Sequence, residues 1–312
     1  MENSQLDIVT GASGFSGRYI TRRLLAMGRR VKTITGNPDR PNEFGDRVVA
    51  EPFNFDNPAA LTESLRGADV LFNSYWIRFA HGDVNFDKAV QNSKTLIKAA
   101  ADAGVRKFVH ISIANPSIDS PLPYYHGKAV VEEAIRDSGM SYAILRPTVI
   151  FGDHGILINN IAWFLRHLPV FVVAGDGQYG IRPIFVEDLA ELAVNLSQSE
   201  ENCVIDAVGP ESYTFTGLVE MLRQTIGTHT MIMKMPPALP LLAARGLGML
   251  LGDVVLTSDE VIGLTSGLLA SDQPSTGDTH LSAWVRENKD WLGKTYMSEL
   301  KAHYRKHVAG SC

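Results

Sequence analysis

The feature that most constrains this 312-residue chain is a set of three glycines closing its first apolar run: Leu6-Asp7-Ile8-Val9-Thr10 is followed by Gly11, Gly14 and Gly17. A β-rich run, a glycine turn and an amphipathic stretch together describe a strand that passes directly into a helix. In such a turn Gly11 takes the tight bend, Gly14 lets backbone approach a pyrophosphate with no Cβ in the way, and Gly17 lets the helix pack closely on the strand. The helix then aims free N–H groups and its positive dipole end at the phosphates. Gly11, Ser13, Gly14, Phe15 and Gly17 are therefore the candidate dinucleotide contacts of this loop. The chain has 27 glycines, so spacing alone is weak evidence. What gives the motif weight is its place, after the first predicted strand and at the start of the first predicted helix.

From residue 6 to about residue 205, short apolar runs alternate with amphipathic stretches, the rhythm of βα units around a parallel sheet. The predicted strands are Leu6–Thr10, Val31–Thr35, Val48–Glu51, Val70–Asn73, Phe108–Ser112 and Ser141–Leu145. They are rich in β-branched and aromatic residues. The predicted helices are Ser16–Met27, Ala59–Leu65, Asp83–Ala103 and Tyr124–Ser138, the third ending at Gly104, where a C-cap glycine belongs. The fold expected is α/β: a doubly wound parallel sheet of the Rossmann kind, with its ligand crevice at the carboxyl ends of the strands. It would occupy residues 1–210, with a smaller, mostly helical region over 211–312.

Composition narrows the partners. Hydrophobic residues at 45%, charged residues at 20% and a net charge of −5 describe an ordinary globule, which argues against a nucleic-acid partner. The two cysteines, Cys203 and Cys312, offer neither a disulfide framework nor metal-ligand spacing. They read as inert thiols of a reducing compartment, and no metal is expected. The acidic, polar N-terminal residues carry no targeting pattern, so a cytoplasmic location is expected.

The Thr10-Gly11-x-x-Gly14-x-x-Gly17 spacing resembles the short-chain dehydrogenase/reductase superfamily in its extended and atypical branches. Further matches follow in the family's order over residues 5–210. Asn54-Phe55 resembles the adenine-contacting pair after the third strand, and Lys107–Ser112 the fifth strand. Leu145–Gly152 resembles the Arg-Pro segment whose backbone faces the nicotinamide amide, which puts Pro147 and Val149 among the expected cofactor contacts. Arg182–Ala190 resembles the later signature beside the substrate region. Within the superfamily the likeness is to the NAD(P)H-binding group that includes the complex I accessory subunit and NmrA-like proteins. By the same resemblance the 211–312 region covers a substrate.

Catalysis in that superfamily rests on Tyr-x-x-x-Lys, and Tyr124-Tyr125-His126-Gly127-Lys128 supplies the pair. On a helix the i and i+4 positions share a face. A cation near a phenol, whose ordinary pKa is about 10, favours phenolate and brings proton exchange nearer to neutral pH. Lys128 would also hold the nicotinamide ribose hydroxyls. The third partner, a Ser or Thr that polarises the carbonyl, departs from the family pattern. Ser112 lies two residues short of the usual slot and Ala114 occupies it, leaving Ser112, Asn115 or Ser117 as substitutes, or a weak or inactive site.

Cofactor choice turns on what meets the adenosine ribose after the second strand. Thr35-Gly36-Asn37-Pro38-Asp39-Arg40 has no acid at the strand end. Asn37 and Arg40 are the candidate contacts, which favours NADP over NAD, although Arg40 reads equally as a solvated loop charge. Asn73–Phe79, with Tyr75, Trp76 and Arg78, is either one wall of a pocket or a packed loop. The apolar stretch 231–256, broken by Pro236, Pro237 and Pro240, is no transmembrane span. Buried core or lid is the reading favoured for it, ahead of a homo-oligomer or protein surface or a peripheral membrane contact. Two functions remain open. One is an NAD(P)-dependent oxidoreductase or epimerase/dehydratase acting on a small carbonyl or sugar-like substrate; the other is a catalytically weak NADP(H)-binding accessory or redox-sensor protein.

Overall fold

A computed structural model describes residues 5–304. The chain opens with β1 (Leu6–Thr10), α1 (Phe15–Ala26), β2 (Arg30–Thr35), β3 (Val48–Pro52), α2 (Pro58–Leu65) and β4 (Ala68–Asn73), then α3 (Phe86–Asp102), β5 (Lys107–Ile111), α4 (Pro123–Arg136) and β6 (Ser141–Pro147). Next come β7 (Ile150–Phe151), α5 (Ile156–His167), β8 (Val170–Ala174), β9 (Gly180–Ile181), β10 (Ile184–Phe185), α6 (Val186–Ser197) and β11 (Cys203–Ala207). The chain continues through β12 (Tyr213–Thr214), α7 (Phe215–Ile226), β13 (Met231–Met235), α8 (Ala238–Leu251), α9 (Ser258–Thr265) and α10 (Leu281–Asn288). Cys312 lies outside the described residues.

Seven of these strands form one sheet in the order β11-β6-β5-β4-β1-β2-β3, with every neighbouring pair parallel. The expected doubly wound sheet is present. Its order reverses between β1 and β4, the point beyond whose strand ends a ligand crevice is expected. Strands covered on both faces read as continuous apolar runs, and all five residues of β5 are buried. Ile8, Ile34, Leu71, Phe108 and Ile144 of the sheet join Leu61, Leu96, Ile97, Val131 and Ile135 of α2, α3 and α4 in one core cluster. Helix α3 begins at Phe86 rather than Asp83, because the Asn85 side chain accepts the Lys88 backbone N–H (2.8 Å) and caps it there.

The domain division differs from the expected break at residue 210. The first unit runs up to Pro147 and takes in Val186–Ala207; the second comprises Thr148–Phe185 and the chain from Val208 onward. The reason is packing: α6 lies against α1, and β11 pairs with β6, so both return to the first unit. The 211–312 region is mostly helical, with α7 to α10 against β12 and β13, but the second unit as a whole is mixed. It holds the strand pairs β7/β10, β9/β12 and β8/β13 around a core that includes Phe151, Ile158, Leu165, Leu218, Leu222 and Trp284. The 231–256 stretch, favoured above as buried core, forms β13 and α8 and leaves Met231, Leu242, Met249 and Leu250 exposed. No helix among the described residues is long and apolar enough to cross a membrane.

A buried polar knot ties α4 to β6. Glu132, 1% exposed, accepts from Arg146 Nε and Nη2 (3.0 and 2.6 Å), Arg136 Nη2 (2.9 Å) and Ser112 Oγ (2.6 Å). Removing one side of a buried ion pair leaves the other uncompensated. Glu132→Gln is expected to cost about 2–3 kcal/mol, less than for a fully enclosed pair because both arginines are partly exposed. Ser112→Ala is expected to cost about 1 kcal/mol. Urea unfolding of the two variants checks both values.

Candidate dinucleotide site

The strand-to-helix turn is built around the Gly11 carbonyl. Gly11 sits at φ +64°, its oxygen accepts the Gly14 N–H (2.8 Å), and a Cβ on Gly17 would lie 2.3 Å from that oxygen. A Cβ on Gly14 would lie 3.0 Å from it. Helix α1 is N-capped by Gly14 with no side-chain cap, so its first-turn N–H groups are left for a ligand. Arg18 adds a cation: Nη2 donates to the Ser13 carbonyl (3.3 Å), while the buried Nε has no hydrogen-bond partner. A bare backbone cradle, an uncapped helix start and a guanidinium whose Nε makes no hydrogen bond, though it lies 3.9 Å from Glu43 Oε2, fit a pyrophosphate. Arg18, directly after the last glycine, was missed in the sequence, although its position was a signal.

The strand ends around this turn are tied by buried polar groups. Thr10 Oγ1 donates to Asn73 Oδ1 (3.2 Å) and accepts the Ser74 N–H (2.7 Å); Thr33 Oγ1 accepts the Ala12 N–H (3.0 Å) and donates to the Val9 carbonyl (2.8 Å). Asn73 Nδ2 lies 3.0 Å from His110 Nδ1. Since an amide nitrogen can only donate, Nδ1 accepts and the ring proton sits on Nε2. Burial, and next the neighbouring Lys128, hold His110 well below the usual histidine range, so it is neutral. The polar residues Asn73 and His110 at the ends of otherwise apolar strands were the sequence signal for this network.

After β2, Asn37 and Arg40 lie exposed in the turn, where the Arg40 N–H reaches the Asn37 carbonyl (3.2 Å). Glu43, further along the loop, takes Arg22 in a bidentate pair (2.7 and 2.8 Å) and lies 3.9 Å from Arg18. After β3, Asn54 adopts φ +49°, and Phe55 stacks on Phe53 at 4.7 Å with Tyr75 5.1 Å from each ring. Tyr75 is thus a packing residue, and its hydroxyl accepts from Asn92 (2.9 Å).

Trp76 explains a glycine inside α4. A Cβ on Gly127 would come within 3.0 Å of the Trp76 indole, so the ring lies on the bare patch of helix. Tyr124 and Phe86 meet that indole at 6.1 and 6.4 Å, and Lys128 Nζ lies 4.9 Å from its centroid. Tyr124 and Lys128 therefore share Trp76 as a neighbour, and the indole Nε1 is buried without a hydrogen-bond partner. Lys128, 2% exposed, donates to the Ile111 carbonyl (2.7 Å). Burial brings it down to about 7, opposed only by the charge of Glu132.

The carbonyl-polarising position is without a hydroxyl. Ala114 is fully buried, with its N–H on the Pro147 carbonyl (2.8 Å). Ser112 gives its proton to Glu132 (2.6 Å), so the structure commits this candidate catalytic hydroxyl to the buried knot described above. Ser117 is exposed and its Oγ accepts the Asp119 N–H (3.2 Å). Asn115 is exposed at φ +54°. Val149 is buried in the second unit.

The NAD(P)H-binding domain family matches residues 11–156. Subunit 9 of the NADH dehydrogenase (ubiquinone) 1 alpha subcomplex, mitochondrial, from Arabidopsis thaliana is 23% identical over 283 residues, covering 85% of this chain and 70% of the relative. Its Mus musculus counterpart is 26% identical, covering 78% and 66%. Residues 11–156 thus match an NAD(P)H-binding family, and the relatives liken this chain to the extended type of NAD(P)-binding short-chain dehydrogenase/reductase. Among solved structures, an NADPH-dependent quinone oxidoreductase from Escherichia coli in complex with NADPH superposes with a TM-score of 0.73 at 21% identity, covering 90% of this chain and 99% of that one. Citrobacter triphenylmethane reductase with NADP(H) gives the same TM-score at 19% identity and the same coverages. Both likenesses are of fold.

Two outcomes test this geometry. Gly17→Ala must push backbone apart, and is expected to cost roughly 2–3 kcal/mol and to weaken NADPH binding at least tenfold by fluorescence titration. Lys128 is charged in the unfolded chain up to its ordinary value but loses its proton in the fold near pH 7. Between those values the unfolded state binds more protons, so stability rises with pH. Wild type is expected to gain stability relative to Lys128→Met between about pH 7 and 10, read from paired melting curves.

Proposed function

We propose that this chain holds NADP(H) as an accessory or redox-sensing protein, with little or no turnover of a carbonyl substrate. The observation that carries this reading is the slot beyond β5, where fully buried Ala114 stands and the Ser112 proton is given to Glu132. Without a preorganised donor a developing oxyanion loses about a hundredfold or more in rate. The glycine turn with Ser13 and Phe15 would hold the pyrophosphate, Asn54 and Phe55 would border the adenine, and Lys128 would turn from the Ile111 carbonyl to ribose hydroxyls. The Pro147 and Val149 backbone would face the nicotinamide amide. When bound, the dinucleotide supplies a hydride. Arg40, with no acid at the end of β2, supports NADP, and Asn37 would border the ribose. The relatives named as subunits of NADH dehydrogenase support a protein partner. A cytosolic compartment is proposed from cysteine usage alone, whereas those relatives are described as mitochondrial.

A second reading has one observation in its favour: Tyr124 and Lys128 stand one turn apart on α4, with Lys128 tuned to about 7. In an oxidoreductase or epimerase, Tyr124 would exchange the substrate proton and Lys128 would tune it. Titration with NADPH and NADH, followed by hydride exchange with quinones, carbonyls and nucleotide sugars, separates the two. The accessory reading expects tight NADPH binding with no exchange in wild type or Tyr124→Phe. Exchange that falls a hundredfold or more in Tyr124→Phe would establish the enzyme instead.

A further inference from the structure

Helix α8 leaves a strip of large apolar side chains in water. The residues that face the body of its unit are small, Pro240, Ala244 and Gly248, spaced four apart on one side and all buried. A Cβ on Gly248 would lie 2.7 Å from the Asp253 carbonyl oxygen, so the helix is held close by its bare side. Four of its large apolar side chains lie on the opposite side, while Leu241, Leu247 and Leu251 are half-buried. Leu239 is 47% exposed, Leu242 66%, Met249 82% and Leu250 84%, at spacings that place them along one outward strip. An ordinary surface helix does the reverse, burying its leucines and presenting charge to water.

The charge pattern selects the occupant. From Met231 to Gly252 the only charged residues are Lys234 and Arg245, both exposed, in a chain whose net charge is −5. An apolar strip with cations and no acid complements an anionic lipid leaflet. A second copy of the chain would meet the same cations. The strip also rests on one 14-residue helix, where a stable interface takes roughly 20–30 residues from each partner.

We propose that α8 is a membrane-surface contact, lying flat at the headgroup boundary of an anionic bilayer with Leu239, Leu242, Met249 and Leu250 in the acyl region and Arg245 among the phosphates. The helix does not cross the bilayer. It docks the folded chain through four side chains, and the proposal is independent of what the dinucleotide site does.

Co-sedimentation of the full chain with vesicles of phosphatidylcholine alone, or with a third of phosphatidylglycerol, tests it. Leu242→Ser/Leu250→Ser and Arg245→Gln serve as variants, melting temperature as the fold control, and elution volume as the measure of oligomeric state. Wild type is expected to bind the anionic vesicles, less so at high salt. The double variant should lose at least tenfold in partition, and Arg245→Gln several-fold. No binding to anionic vesicles, equal binding to both vesicle types, or binding unchanged in the double variant would each overturn the proposal. So would a wild-type dimer that the double variant dissociates, which would assign the strip to a second copy.

Discussion

The Gly11 carbonyl oxygen packs against the Cα of Gly17, at a spot where even a methyl group would lie 2.3 Å away, and the arrangement of the first unit's strand ends follows from that contact. It draws the start of α1 down onto the end of β1, which leaves the helix's first N–H groups open toward the crevice. It also fixes where Thr10 sits, and Thr10 carries the hydrogen bonds to Asn73 and Ser74 that position the end of β4. From Asn73 the chain of contacts passes to His110 on β5, and His110 is a charge neighbour of Lys128. A backbone approach that only glycine permits is thus the first link between the phosphate end of the crevice and the candidate chemistry on α4.

Near that chemistry, polar side chains are committed to structure. Glu132 collects two arginines and Ser112 in a buried knot. Lys128 is lodged under Trp76 with its proton shared to a backbone carbonyl, and Ala114 offers nothing to an oxyanion. Such sites hold a ligand readily, since binding needs a backbone cradle and fixed dipoles. Rate acceleration needs in addition a donor aimed at charge that appears only in the transition state. A glycine turn suited to a pyrophosphate beside a donor position without a hydroxyl is the contrast on which the proposed accessory reading rests.

The second unit follows a different logic. Its interior is conventional, with Phe151, Leu218, Leu222 and Trp284 buried together, while α8 fully buries only Pro240, Ala244 and Gly248 and leaves Leu239, Leu242, Met249 and Leu250 exposed. Burying large apolar side chains is the main source of folding stability available to a helix. Leaving four of them in water forgoes that stabilisation, which is the basis of the docking role proposed for α8.

Local pattern was enough to read the sheet, the glycine turn, the helix rhythm and the place of the Tyr124/Lys128 pair, because strand and helix periods and glycine's conformational range act over a few residues. The hydroxyl gap at Ala114 was legible for the same reason. Tertiary structure decided the rest. Only packing showed that Val186–Ala207 returns to the first unit, that Ser112 is taken by Glu132, and that Tyr75 and Trp76 pack inward. These outcomes depend on partners 14 to more than 50 positions away along the chain, such as Arg146 for Glu132 and Gly127 for Trp76. The exposure of α8 was undetermined for a related reason: a run of leucines, prolines and glycines satisfies a buried core and an outward strip equally, and which one results is set by the neighbour the helix meets, information that no local period carries.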